Sequence, residues 1–243
     1  TLRIMKVRLE SDIVNDKFTE YLYESYDIQD RKKTVTEVPI PSKEDIDAIA
    51  NDEEFNILLV CGRSGSGKST ILRNILNNVL PTIGYDEDKC VISQFPTLSE
   101  EEACDLLCGV GLSSVPTWLR RPSQLSNGER ARLDICKAIY DAKVNGNEFV
   151  VIDEFTSVVN RDAAKSMSFA LQRYARKNGL RLVVASCHFD VVDWLQPDYV
   201  FNLNHMDENG DVEMEHMVYD GEDKYNSQQT IEEADALTEA LAI

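Results

Sequence analysis

The 243-residue chain has few of several features, and each shortage narrows the class of protein. No apolar run approaches the roughly 20 residues that a membrane-spanning helix needs, and no signal-peptide pattern stands at the start. The expected location is therefore cytoplasmic. Basic residues are scarce: 25 Lys and Arg face 43 Asp and Glu, for a net charge of −18. With a pI near 4.5, broad sequence-independent binding to nucleic acid is disfavoured, because that needs many phosphate-neutralising cations. Histidine occurs only three times. Cys104 and Cys108 lie one helical turn apart, with no second Cys/His pair at zinc spacing, which argues against a metal site of that kind. The six cysteines are otherwise scattered through apolar stretches, as buried free thiols in a reducing compartment would be. No internal repeat appears.

The remaining composition, 43% hydrophobic and 28% charged, is that of a soluble globular chain large enough to bury a proper core. Acid is concentrated at the end. From Asp207 onward 12 acidic residues face one base, Lys224, and the stretch reads as a solvated extension.

The most informative stretch is Gly62-Arg63-Ser64-Gly65-Ser66-Gly67-Lys68-Ser69-Thr70. It fits the phosphate-loop pattern at every defined position. An apolar run, Asn56 to Cys61, precedes it as a buried strand would. Ile71, Leu72, Ile75, Leu76, Val79 and Leu80 follow on one helical face, and Pro81 stops the helix. The glycines turn backbone N–H groups onto a polyphosphate, and the helix N-terminus and Lys68 add positive charge. Ser69 offers a hydroxyl to Mg²⁺. These residues predict binding of a nucleoside triphosphate.

Further motifs follow in order. Met5, Val7 and Leu9 alternate with charges as in a half-exposed strand, and Thr34 to Val38 reads as an edge strand ending at Pro39 and Pro41. Tyr21, Tyr23 and Tyr26 form an aromatic cluster that either stacks on a base or packs on the sheet. Ser42 opens a short helix. Cys90 to Ser93 reads as a short strand ending at Gln94, and Ser99 starts a helix through Leu107. Ser126-Asn127-Gly128-Glu129 opens a helix carrying Ile135, Ala138 and Ile139, a natural anion site because hydroxyl, free N–H groups and helix dipole converge. Phe149 to Ile152 is a buried strand delivering Asp153-Glu154 at its C-terminal end, where open α/β sheets hold ligands. Asp153 is expected to hold Mg²⁺ and Glu154 to polarise the attacking water. After a helix from about Arg161 to Lys177, the strand Leu182 to Ala185 leads into Ser186-Cys187-His188, and Val200 to Leu203 closes the sheet. Alternating strands and helices predict an α/β fold with a mostly parallel central sheet.

Together these residues resemble an ABC-type (ATP-binding cassette) ATPase domain, a P-loop NTPase, from about Asn56 to Leu203. Gly62–Thr70 is similar to the family's Walker A, and Gln94 sits where its Q-loop glutamine stands. Leu125-Ser126-Asn127-Gly128-Glu129 resembles the signature Leu-Ser-Gly-Gly-Gln. Asp153-Glu154 matches Walker B and His188 the switch histidine. The resemblance implies a domain over residues 1–205, made of an N-terminal β-rich part (1–55), a core with the phosphate loop (56–94), a shortened helical subdomain (95–145) and the Walker B to histidine part (146–205). Residues 206–243 are left as an acidic extension. It further implies ATP and Mg²⁺ as ligands and a homodimer enclosing two ATP molecules, with Ser126, Asn127, Gly128 and Glu129 acting across the interface. Glu154 becomes the general base, His188 a γ-phosphate contact, and Gln94 a link from the metal site to a partner. Tyr26 becomes the adenine-stacking candidate. The sequence departs from the family at Asn127, Glu129, Phe155 (for proline) and Asn160 (for the D-loop aspartate).

The stretch Ser186 to Asp190 with Asp193 to Phe201 is similar to soluble ABC-type ATPases, some fused to a predicted acetyltransferase domain and found in phages and mobile elements. Nothing in residues 1–55 resembles an acetyl-CoA loop. The implied function is an ATPase coupled to an unidentified protein or nucleic-acid partner away from the membrane. The alternatives are the ATPase subunit of a membrane transporter, and a nucleotide-dependent switch with little turnover.

Overall fold

The computed structural model describes residues 4–29, 31–52, 55–75, 80–206 and 212–217. Two sheets form. β1 (Ile4–Asp12) and β2 (Lys33–Pro41) make an antiparallel hairpin, with α1 (Lys17–Tyr26) bridging its outer end. β2 includes both prolines at its end, Pro39 and Pro41. The two prolines are two residues apart and share one side of the strand, so the N–H groups of Val38 and Ile40 are retained on the other. α2 (Lys43–Ala50) follows, with Ser42 accepting from the Asp45 N–H at 3.2 Å as its cap.

The second sheet contains β3 (Ile57–Cys61), β4 (Val150–Ile152), β5 (Leu182–Ser186), β6 (Tyr199–Met206) and β7 (Val212–His216) in the order β4-β5-β3-β6-β7. The first four are mutually parallel and β7 is antiparallel to β6. Hence β6 lies inside the sheet, and the acidic extension expected from residue 206 begins with a strand of the sheet. Val212 is buried there, packed in the core with Phe201 and Leu203. Acidic composition concealed this, because an edge strand needs only one apolar face. The rest of the extension lies outside the described residues.

Helices and hairpin cover opposite faces. On one, Ile57, Leu59, Cys61, Ile152, Val184 and Val200 pack beneath α4 (Glu100–Gly109), α6 (Asn127–Asn145) and α7 (Arg161–Lys177). On the other, Leu58, Val60, Val183 and Phe201 pack with α3 (Lys68–Ile75) and with Val38, Ile40 and Ile49 of the hairpin and α2. β3 and β5 are buried at every residue, the expected result of a parallel sheet covered on both sides. α3 is described to Ile75; Leu76 and Val79 of its expected face lie outside the described residues.

The stretch expected as a strand at Cys90–Ser93 is instead a 3₁₀ turn, Val91–Gln94. Val91 is buried among the helices and its N–H donates to Arg120 O at 2.9 Å. A short apolar stretch with one residue buried under a helical layer reads locally like a strand, and the partner that decides between them is distant in sequence. Two further short helices are α5 (Val115–Trp118) and α8 (Val191–Leu195). Of the thiols expected to be buried, Cys61 and Cys136 are, while Cys108 is exposed.

Candidate active site

The register of the parallel strands sets the site. Cys61 pairs with Ser186, and Ile152 with Val184, so β3, β4 and β5 end side by side. The residues beyond those ends are the phosphate loop, Asp153-Glu154 and Cys187-His188. Ligands of open α/β sheets sit at this edge.

The phosphate loop needs its glycines where the backbone turns. Gly65 and Gly67 have φ of +78° and +97°, a region that L-residues avoid. A Cβ on Gly67 would also come within 2.3 Å of Val38 on β2, so the hairpin closes one wall of the loop. Arg63 N–H is held by Asn204 Oδ1 at 3.1 Å. Neither Val38 nor Asn204 is marked by any local motif; they reach the loop only through the tertiary fold. Lys68 is buried, its ammonium donating to the carbonyls of Gly62 at 2.8 Å and Arg63 at 3.0 Å. Ser66 Oγ is buried without a partner among the described residues. Burial pushes the Cys61 thiol beneath the loop up to about 12, against the pull of Lys68.

Ser69 Oγ donates to Asp153 Oδ2 at 2.7 Å. A hydroxyl and a carboxylate in contact at the start of α3 are hard oxygen donors suited to Mg²⁺. The orphaned Ser66 hydroxyl and the buried Lys68 suit a polyphosphate, so the residues present fit Mg-ATP. Glu154 follows in a left-handed conformation (φ 55°), as does Thr156 (φ 65°). Such backbone is strained for residues with side chains and collects at functional sites. Glu154 is exposed and accepts from Ser157 Oγ at 2.7 Å. His188 Nδ1 lies 3.3 Å from Thr156 Oγ1. Ser186 Oγ donates to Phe155 O at 3.0 Å and accepts from His188 N–H at 3.1 Å. Thr156, Ser157 and Ser186 thus lock the acid and the histidine to each other, a role that only their nearness in space discloses.

Ser126 caps α6 in a reciprocal box. Its hydroxyl accepts from Glu129 N–H at 3.3 Å, and Glu129 Oε2 accepts from Ser126 N–H at 2.8 Å. Although burial works against its charge, the Ser126 N–H and hydroxyl, the Thr117 hydroxyl and Arg120 hold the Glu129 carboxyl below its ordinary range. A Cβ on Gly128 would meet only ordinary contacts, none closer than 3.5 Å. Nothing among the described residues therefore demands glycine there. Asn160, at the D-loop position, caps α7 by accepting from Ala163 N–H at 2.8 Å.

Two expected site residues are not brought in. Gln94 is buried and its amide is used inside its own loop: Oε1 accepts from Asp86 N–H at 3.0 Å and Nε2 donates to Asp86 O at 2.8 Å. It makes no hydrogen bond to Ser69 or Asp153, and is a loop staple where a metal link was expected. Tyr26 is 71% exposed on α1, at the outer end of the hairpin. The loop touches that hairpin at Val38, five residues and about 16 Å along β2 from its Lys33 end. Of the α1 tyrosines only Tyr23 is buried, its hydroxyl donating to Asn15 Oδ1 at 2.9 Å.

A parallel sheet with a phosphate loop after one strand, paired acids after a second and a histidine after the strand between them defines the α/β P-loop fold of an ATP-binding cassette. The comparisons agree. No protein-family model matches the chain. The chain is 26% identical over 115 residues to the phosphonates import ATP-binding protein PhnC 2 of Synechococcus sp. (strain JA-2-3B'a(2-13)), covering 47% of this chain and 40% of that protein. It is 30% identical over 106 residues to the lipoprotein-releasing system ATP-binding protein LolD of Idiomarina loihiensis, covering 44% of each. To LolD 1 of Rhodospirillum rubrum it is 28% identical over 144 residues, covering 54% of this chain and 60% of that protein. The chain thus spans about half the length of the curated relatives it matches. In fold it is similar to the ATP-binding cassette MJ0796, in a dimeric post-hydrolysis state bound to ADP and Pi. There the TM-score is 0.53 at 16% identity, over 76% of this chain and 94% of that one. A second dimeric structure of MJ0796, a bacterial ABC transporter cassette, gives 0.50 at 19% identity over the same shares. The similarity is to ABC ATP-binding proteins, and the fold is the cassette fold.

Proposed function

We propose that this chain binds and hydrolyses ATP as a homodimer, each Mg-ATP lying between one copy's phosphate loop and the other's Ser126–Glu129 turn. The observation that carries the reading is the convergence of Lys68, Ser69, Asp153, Glu154 and His188 at the ends of three neighbouring parallel strands. In this reading the backbone of Gly62–Thr70 wraps the phosphates and Lys68 neutralises the β- and γ-oxygens. Ser69 and Asp153 hold Mg²⁺, which would supply further charge neutralisation. Glu154, fixed by Ser157, takes a proton from the water that attacks the γ-phosphorus. His188, fixed by Thr156 and Ser186, contacts the γ-oxygens. Ser126 and Gly128 complete the site from the partner copy.

Glu154→Gln tests it directly. Binding of Mg-ATP should persist, turnover should fall by about 10²–10⁴-fold, and the mass in solution should double with Mg-ATP. Turnover at the parent rate would remove Glu154 as the base. Lys68→Ala should weaken triphosphate binding itself.

For the partner of the dimer, the sequence points to a protein or nucleic acid away from the membrane. A second reading is favoured by two observations. The curated relatives are named for import and lipoprotein release. Beside the Gln94 turn, α5 and the residue after it expose Val115 (55%) and Leu119 (71%), an apolar step suited to a membrane subunit. Co-sedimentation of the protein with membranes from its host supports the transporter reading, and its absence the free-standing one.

A further inference from the structure

Glu129 introduces a carboxylate into the turn that, in the proposed dimer, faces a partner's triphosphate. Both oxygens of that carboxylate have partners. Oε1 accepts from Thr117 Oγ1 at 2.9 Å and lies 3.5 Å from Arg120 Nη1. Oε2 accepts from both the N–H and the hydroxyl of Ser126, each at 2.8 Å. A carboxylate can only accept, so the single proton of Ser126 is committed to Glu129. The uncharged amide of a glutamine would carry no charge toward the phosphates. Arg120 is the only cation that the structure places in ion-pair contact with Glu129 among the described residues. Its position is built in: its N–H donates to Thr117 O at 3.1 Å and its carbonyl accepts from Val91 N–H at 2.9 Å. Thr117 and Arg120 therefore approach Glu129 together, from the end of α5.

We infer that Arg120 is a positioning residue for the nucleotide-bound dimer: it holds and neutralises Glu129, so that a polyphosphate can approach the N-terminus of α6. The inference rests on the sandwich-dimer reading. Without Arg120, the Glu129 carboxylate keeps its bonds from Ser126 and Thr117 but loses its ion-pair partner, and its charge beside the position of the partner's γ-phosphate opposes closure. The cost falls on dimer formation alone, because Arg120 lies outside the phosphate loop that binds ATP within one chain.

The experiment uses the full chain in the Glu154→Gln background and reads mass against protein concentration at saturating Mg-ATP. Arg120→Ala should raise the concentration for half-dimerisation by about fivefold, the upper range for a partly exposed ion pair. Mg-ATP affinity measured at dilutions where the chain is monomeric should stay at the parent value. Arg120→Lys should retain dimerisation. Adding Glu129→Gln to Arg120→Ala should restore it to within about 1.5-fold of the parent, as coupled neighbours do in a double-mutant cycle. Damage to the fold would not be repaired by that second change. Parent-like dimerisation of Arg120→Ala overturns the inference, and so does a double variant no better than Arg120→Ala. If the Glu154→Gln protein itself stays monomeric with Mg-ATP, the sandwich reading falls and this inference with it.

Discussion

Residues in this chain divide into those whose chemistry was plain from type and spacing and those whose role depends on a distant partner. Lys68, Ser69, Asp153 and Glu154 belong to the first group. Ser69 and Asp153 are 84 positions apart, yet their side chains meet at 2.7 Å. Gln94 belongs to the second. Its position after an apolar stretch matched a site residue, but its amide is saturated by the backbone of Asp86, Lys89 and Cys90. Tyr199 shows how one side chain becomes pH-sensitive. Burial, and then the bond from its hydroxyl to Asp52 Oδ2 at 2.6 Å, push it up to about 12. An unfolded tyrosine titrates near 10, so the folded state holds the proton more tightly. Its contribution to stability is complete below about pH 10 and is lost as pH rises from there towards 12. Tyr199→Phe should flatten that part of the decline, read by urea unfolding across the alkaline range.

At the scale of elements, the departures from family pattern have local physical reasons. Phe155 stands where proline is usual, and its N–H donates to Ala185 O at 2.8 Å, a bond proline cannot make. Its ring is 2% exposed in the helical face of the core. Phe155→Pro should therefore cost about 3–5 kcal/mol, the range for emptying a buried aromatic site, measured by denaturant unfolding. α6 and α4 were legible because Ser126 with Glu129, and Ser99 with Glu102, make reciprocal caps that announce a helix start in sequence. The 3₁₀ turn at Val91–Gln94 announced nothing. Its apolar residues fit a strand as well as a turn, and the deciding bond runs to Arg120, 29 positions away.

At the scale of the molecule, the end of the sheet opposite the site is held by one buried ion pair. Asp198 Oδ2 accepts from the N–H groups of Asn56 and Ile57 at 2.9 and 2.8 Å, and Arg176 Nη1 donates to Oδ1 at 3.1 Å. The pair ties α7 to the starts of β3 and β6. Truncating one partner leaves a buried charge uncompensated, at about 3–5 kcal/mol. Asp198→Ala should lower unfolding stability by that order while leaving Mg-ATP affinity near the parent value, since the phosphate loop lies at the far end of β3. Calorimetric binding beside urea unfolding separates the two effects.

The sequence by itself determined the α/β class, the phosphate loop, the paired acids, His188 and the capped helices, because each is written in residues close together in the chain. The tertiary structure alone decided which strands are neighbours and that β7 extends the sheet into the acidic segment. It also decided that Val38 and Asn204 frame the loop, that Tyr26 stands apart from it, and that Arg120 meets Glu129. These depend on packing and pairing between segments far apart in the chain, which local periodicity and spacing do not encode.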